Sequence, residues 1–192
     1  MTIMRRVLVI VLLASVASPS IAWQQVFDEG GVSVWQRPYG NSPLLEVRGE
    51  VEVNSTLNAL MGLLRDADYN RHWVYRSGGA SIVEMSGYEQ AYVYGVVDAP
   101  FPMRDRDTVV RFDYHQHPVN NEITITITNA PDKVPEVDGL VRVPDFGGFW
   151  KLQPGGKGVV KVIYQVHGDP GGWVPIWIAN YAAARSVIRT LQ

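Results

Sequence analysis

Tyr164-Gln165-Val166-His167-Gly168-Asp169-Pro170-Gly171-Gly172-Trp173-Val174-Pro175-Ile176-Trp177 joins two kinds of pattern. Its first part is strand-like and breaks at Asp-Pro-Gly-Gly, where proline fixes one φ and two glycines tolerate almost any backbone angle. Beyond the break a helix is expected from about Val174 to Leu191. Val174, Trp177, Tyr181, Ala184, Ile188 and Leu191 recur there at spacings of three and four, a stripe broad enough to be buried. Trp173 follows the double glycine and is expected to be buried, anchoring the helix start. No catalytic motif lies in the stretch. A strand feeding a long, broadly apolar helix describes a sheet with a lid, and so a container more than a catalyst.

Working back from that joint, the chain is rich in strand patterns. Val32–Arg37 alternates and stops at Pro38, and Leu45, Val47, Gly49, Val51 and Val53 alternate with charged residues. That two-residue period marks a strand with one wet face. Asn54-Ser55-Thr56 offers N-cap chemistry to a helix carrying Leu57, Leu60, Met61 and Leu64 on one side. Further strands are expected at Ser81–Glu84, Gln90–Val97, Thr108–His115, Glu122–Asn129, Gly148–Leu152 and Val159–Val166. Their hairpin-length links favour an antiparallel sheet. The expected fold is α+β, a curved antiparallel sheet wrapped around one long C-terminal helix.

The N-terminal segment reads as an export signal. Arg5 and Arg6 precede an apolar run, Val7–Val16, too short to span a bilayer, and Ser20-Ile21-Ala22 supplies small residues at a cleavage site. Residues 1–22 are therefore expected to be cleaved, leaving 23–192 as one domain in the periplasm or secreted. Those 170 residues (192 minus 22) carry 15 basic and 19 acidic side chains, a net charge of −4. Nothing in that balance favours nucleic acid. With no cysteine there is no disulfide, thiolate nucleophile or thiolate metal site, and no lipid anchor through cysteine is expected.

Four patterns bear on possible chemistry. His115 and His117 share a strand face, but no third metal ligand lies near in sequence and Pro118 opens a turn, so a solvated hairpin end is expected. Asp105-Arg106-Asp107 reads as a run tying a loop to a strand. Gly155-Gly156-Lys157-Gly158 has the wrong spacing for a phosphate loop and reads as a hairpin turn. No Ser-His-Asp order or nucleophile elbow is legible. Neither a catalytic residue, a metal nor a cofactor is expected.

Several fragments together resemble the START (steroidogenic-acute-regulatory-related lipid-transfer) domains of the helix-grip superfamily. They are Gly31–Arg37, Glu46–Glu50, Pro100-Phe101-Pro102-Met103-Arg104-Asp105-Arg106-Asp107, Gly148–Leu152 and Asp169–Pro175. The resemblance runs over essentially all of 23–192. It implies an internal apolar tunnel between sheet and terminal helix that holds one lipid or similar molecule. The tunnel lining is then expected from Tyr92, Tyr94, Val110, Phe112, Ile125, Ile127, Trp150 and Tyr164 on the strands, with Trp177 and Tyr181 on the helix. The loop near Pro100–Arg104 is implied at the entrance, where Phe101, Met103 and Arg104 would touch a membrane surface transiently.

Two functional classes follow. A carrier that binds and exchanges a lipid needs an apolar tunnel and a movable lid. An enzyme on the same scaffold, cyclising polyketides or acting on aromatic substrates, needs polar groups converging inside. The strand faces read almost wholly apolar and aromatic, which favours the carrier.

Overall fold

The computed structural model describes residues 22–192. The expected signal sequence lies outside them except for Ala22. Ten strands form one open sheet: β1 (Gln24–Glu29), β2 (Val32–Tyr39), β3 (Ser42–Asn54), β4 (Ser77–Ser86), β5 (Gln90–Val97), β6 (Arg106–Gln116), β7 (Ile123–Asn129), β8 (Val141–Arg142), β9 (Asp145–Gly156) and β10 (Val159–Asp169). Two helices complete it, α1 (Leu57–Arg65) and α2 (Ile176–Leu191). The spatial order is β1-β2-β3-β10-β9-β7-β6-β5-β4, antiparallel throughout, with short β8 added parallel to β6. The expected α+β sheet with a terminal helix is what forms.

Local chemistry sets the element ends. Thr56 caps α1, its side chain accepting the Ala59 N–H at 3.2 Å. The β9–β10 hairpin turns at Gly156, Lys157 and Gly158, all with positive φ. At the joint before α2 the Asp169 carboxylate accepts the Gly171 N–H at 2.9 Å. Gly171 has φ +67°, and a Cβ there would lie 3.1 Å from the Arg142 carbonyl oxygen and from Val141 Cγ1. Only glycine meets both conditions without strain. Pro175 then caps α2, which begins at Ile176, two residues inside the expected helix.

Registers define a side of the sheet that faces the helices. One row runs Val34, Gly49, Tyr164, Trp150, Ile125, Tyr114 across β2, β3, β10, β9, β7 and β6. The neighbouring row runs Val32, Val51, Val162, Leu152, Ile123. Helix α2 rests on β3 and β2, burying Ala184, Val187 and Ile188. It comes close because Gly49 has no side chain: a Cβ there would lie 2.5 Å from both Val187 Cγ1 and Leu191 Cδ1. Leu57, Leu60, Met61 and Leu64 of α1 pack on the same core, as does Trp73 from the loop before β4.

The opposite side is partly covered too. The segment 130–144 lies over β6, held by a buried pair between Arg142 and Asp107 at 2.9 Å. Arg142 also donates to the carbonyls of Pro131, Val134 and Pro135, so one guanidinium fastens the whole segment.

Candidate functional site: the helix-facing interior and its exposed rim

The expected lining residues separate into three groups. Val110, Phe112, Ile125, Ile127, Trp150 and Tyr164 all lie on the helix-facing side, by register. Trp150 stacks on Tyr164 with ring centres 3.8 Å apart, and Trp73 meets Trp150 edge-on at 6.0 Å. Coverage is complete over Ile125 and Leu152 and thins towards β5 and β6, where Val93, Phe112 and Tyr114 are only half-buried.

Tyr92 and Tyr94 do not belong to this group. Ala91 pairs with Phe112 and Val93 with Val110, so Tyr92 and Tyr94 project to the opposite side, opposite Arg111 and Val109. There the Lys133 ammonium lies 4.2 Å from the centre of the Tyr92 ring. Burial, and then the Asp107 carboxylate, push the Tyr94 hydroxyl pKa up.

Trp177 and Tyr181 share the helical stripe of Ala184 and Ile188, but they are not enclosed. They are 74% and 58% exposed, whereas Ala184 and Ile188 are buried. The stripe is continuous but its N-terminal half is only partly covered: Tyr181 meets the Phe27 ring of β1 edge-on, with ring centres 6.3 Å apart. The neighbouring Asn180 is fixed to the sheet edge, accepting the Leu45 N–H at 2.9 Å.

The loop between β5 and β6 reaches the joint before α2. Phe101 is 98% exposed, Arg104 is exposed and Met103 is half-buried. Buried Arg106 ties the loop to the joint before α2: it donates to the Arg104 carbonyl at 2.6 Å, to Pro170 O at 3.5 Å and to Met103 Sδ at 3.9 Å. Trp173, just past that joint, is 88% exposed. Sequence reasoning gives Trp173 as a buried anchor for the helix start. Two consecutive left-handed glycines, Gly171 and Gly172, turn it outward instead.

The interior polar groups are few. Burial alone pushes the Tyr164 hydroxyl pKa far up. Burial raises that of Tyr114, with Arg65 partly opposing. Both phenols stay neutral at physiological pH and offer hydrogen bonds, not charge. Trp73 Nε1 is a buried donor with no partner among the described residues. No cluster of three or more metal-ligating side chains occurs among the described residues, and His117 Nδ1 accepts backbone N–H groups of its own turn. Two clefts of about 300 and 340 Å³ open elsewhere, one under segment 131–142 and one beside the β2–β3 turn.

Fold and site define a helix-grip domain: an apolar, aromatic sheet face under two helices, with an exposed rim at one end. A STAR-related lipid transfer protein (fragment 25–204) from Xanthomonas axonopodis has a crystal structure that superimposes with a TM-score of 0.81. It is 33% identical, over 88% of this chain and 94% of that one. The chain belongs to the STAR-related lipid transfer (START) family. It is also 26% identical to human phosphatidylcholine transfer protein over 187 residues, covering 93% of this chain and 86% of that one. An aromatase/cyclase from Streptomyces sp. R1128 shares the fold at a TM-score of 0.52 and 15% identity, over 76% of this chain and 86% of that one. No protein-family model matches the chain.

Proposed function

We propose that this chain holds one lipid-like molecule on the helix-facing side of the sheet and exchanges it with a membrane through its exposed rim. The observation that carries this reading is the exposure of large aromatics on the tied loop, the joint and the start of α2: Phe101, Trp173 and Trp177 are 98%, 88% and 74% exposed. Large exposed apolar side chains on adjoining segments mark a surface built to meet something apolar. Each contributes about 1.5–3 kcal/mol when moved out of water. That suffices for transient docking without anchoring the protein.

Val93, Phe112 and Tyr114 supply the open floor, and the free stripe of Trp177 and Tyr181 supplies a lid. The unpartnered Trp73 Nε1 and the neutral tyrosine hydroxyls suit an oxygen-bearing guest. A carrier needs only these, whereas a cyclase needs ionisable groups converging inside. Similarity to a Xanthomonas STAR-related lipid transfer protein and to human phosphatidylcholine transfer protein supports lipid transfer. Arg104 would meet anionic headgroups, worth about 1 kcal/mol near the surface. The Arg-Arg, apolar-run and small-residue order of residues 1–22 supports export with cleavage after Ala22, placing the exchange in the periplasm or outside the cell.

The test is lipid exchange between vesicles, comparing the unaltered chain with the double change Phe101→Ser and Met103→Ser and with Trp177→Ser, alongside thermal melts. Slower exchange at an unchanged melting temperature is expected. Unchanged exchange by both variants refutes the rim reading. Native mass spectrometry of the purified chain identifies the guest, and intact mass of the exported form checks cleavage.

A further inference from the structure

The cleft beside the β2–β3 turn holds a polar arrangement apart from the helix-facing interior. Ser42 Oγ lies 3.4 Å from His167 Nε2, and His167 Nδ1 lies 3.5 Å from Asp145 Oδ2. These residues are up to 125 positions apart in sequence and meet because β3, β10 and β9 are neighbours in the sheet. They lie on the side away from the helices, since Val166, next to His167, points into the core. Tyr39 stacks on the His167 ring at 3.9 Å and leaves the imidazole 9% exposed, in a fixed plane. The surrounding cleft, about 340 Å³, is lined by Tyr39, Asn41, Pro43 and Leu44 as well as the three polar groups.

We propose that Ser42, His167 and Asp145 form a nucleophilic site that cleaves small carboxylic esters. One tautomer suits the proposed roles: a proton on Nδ1, the nitrogen nearer Asp145, and a bare Nε2 facing the serine hydroxyl. The Leu44 N–H already donates to Ser42 Oγ at 3.1 Å, which leaves the hydroxyl proton free to face the imidazole. Both contacts to the ring are long, and such contacts tighten when substrate enters.

In the first step Oγ attacks the ester carbonyl carbon and its proton passes to Nε2. The imidazolium returns that proton to the departing alcohol as the ester C–O bond breaks, leaving the acyl group on Ser42. A water molecule, deprotonated by the same nitrogen, then releases the carboxylic acid and restores the hydroxyl. The Asn41 side chain, which lines the cleft, is its donor for the oxyanion. Asp145 acts through His167, so it is a positioning residue. Being 60% exposed, it is screened by water, and turnover is slow.

The experiment treats the full chain with a fluorophosphonate and maps the adduct by peptide mass, so that no variant has to fold for the main result. In parallel it follows hydrolysis of p-nitrophenyl butyrate. One adduct per chain on Ser42 is expected, absent in Ser42→Ala and formed about 100-fold or more slowly in His167→Gln. Asp145→Asn is expected to lower kcat with KM and melting temperature unchanged, and Asp145→Glu to recover part of the loss. An unlabelled Ser42 overturns the proposal, as does labelling indifferent to His167 and Asp145 or hydrolysis undiminished by Ser42→Ala. The contacts then only tie the β2–β3 turn to the sheet.

Discussion

Replacing Gly49 with alanine tests how α2 is held. The new methyl would sit 2.5 Å from Leu191 Cδ1 and 2.5 Å from Val187 Cγ1, against a comfortable separation near 3.7 Å from Val34 Cγ2. Leu191 lies at the helix end and can swing its terminal methyl away. Val187 cannot, because a β-branched residue in a helix has one strongly preferred χ1 and this one is fully buried. The helix itself must move. Overpacking of this kind costs about 1–3 kcal/mol. Gly49 does not have a positive φ, so alanine fits its backbone and recovers about 0.4–1 kcal/mol through the unfolded chain. The net expectation is a loss of about 1–2 kcal/mol, or a melting temperature lower by about 2–8 °C for a domain of this size. Urea unfolding of Gly49→Ala, Val187→Ala and the double variant checks it. The loss should shrink when Val187 is also alanine, with a coupling of about 1 kcal/mol or more. If Gly49→Ala is as stable as the parent, α2 does not rest on Gly49 and the packing account is wrong.

Three further outcomes are expected. Trp173→Ala should change stability by no more than about 0.5 kcal/mol in urea, as for a surface position, and a loss above about 2 kcal/mol would mean the side chain is buried in solution. Asp107→Ala should cost about 3 kcal/mol, the lower end for a broken buried pair, because three backbone carbonyls still accept from Arg142; proteolysis within 131–142 should rise with it. For Glu50, burial raises the carboxyl pKa, but Lys161 and Arg48 outweigh it and hold it below the ordinary 4.5. A folded value below the unfolded one gives stability present at neutral pH and lost as pH falls through the folded value. Glu50→Gln should therefore lower stability near pH 7 and flatten the acid side of the curve, the variant and parent converging as pH falls below about 4.5, measured by melts across that range.

Much of this architecture is legible from residue order. The two-residue period of Leu45–Val53, the Thr56 cap, the glycine turn at 155–158 and the Asp-Pro-Gly-Gly joint each describe local chemistry that survives into the fold. The interior face of β5 is less legible. Its larger residues, Tyr92 and Tyr94, point away from the core because segment 130–144 covers the other side of the neighbouring β6. Both faces then carry apolar bulk, and alternation no longer says which is inside. Trp173 is misread for a different reason: size and hydrophobicity suggest burial, but two left-handed glycines decide its direction. The stripe of α2 shows its apolar face but not how far that face is covered, so the exposure of Trp177 and Tyr181 is hidden. Ser42, His167 and Asp145 leave no sequence signal at all, since only strand order brings them together.

The place of β10 in the sheet has a consequence for how the chain is made. The strand lies between β3 and β9, and it is the last strand to leave the ribosome. Until residue 169 has emerged, the β1–β3 ribbon and the β9-to-β4 ribbon have no hydrogen-bonded seam between them. The β3 edge, complete at Asn54, stays unpaired until β10 begins at Val159, and such an open edge is where strand pairing with other chains is most hazardous. Closing a sheet through contacts more than 100 residues apart is slow, on the millisecond-to-second scale of topologies rich in distant pairings. The chain therefore acquires its tertiary fold in one late event, when a single strand zips two finished ribbons together.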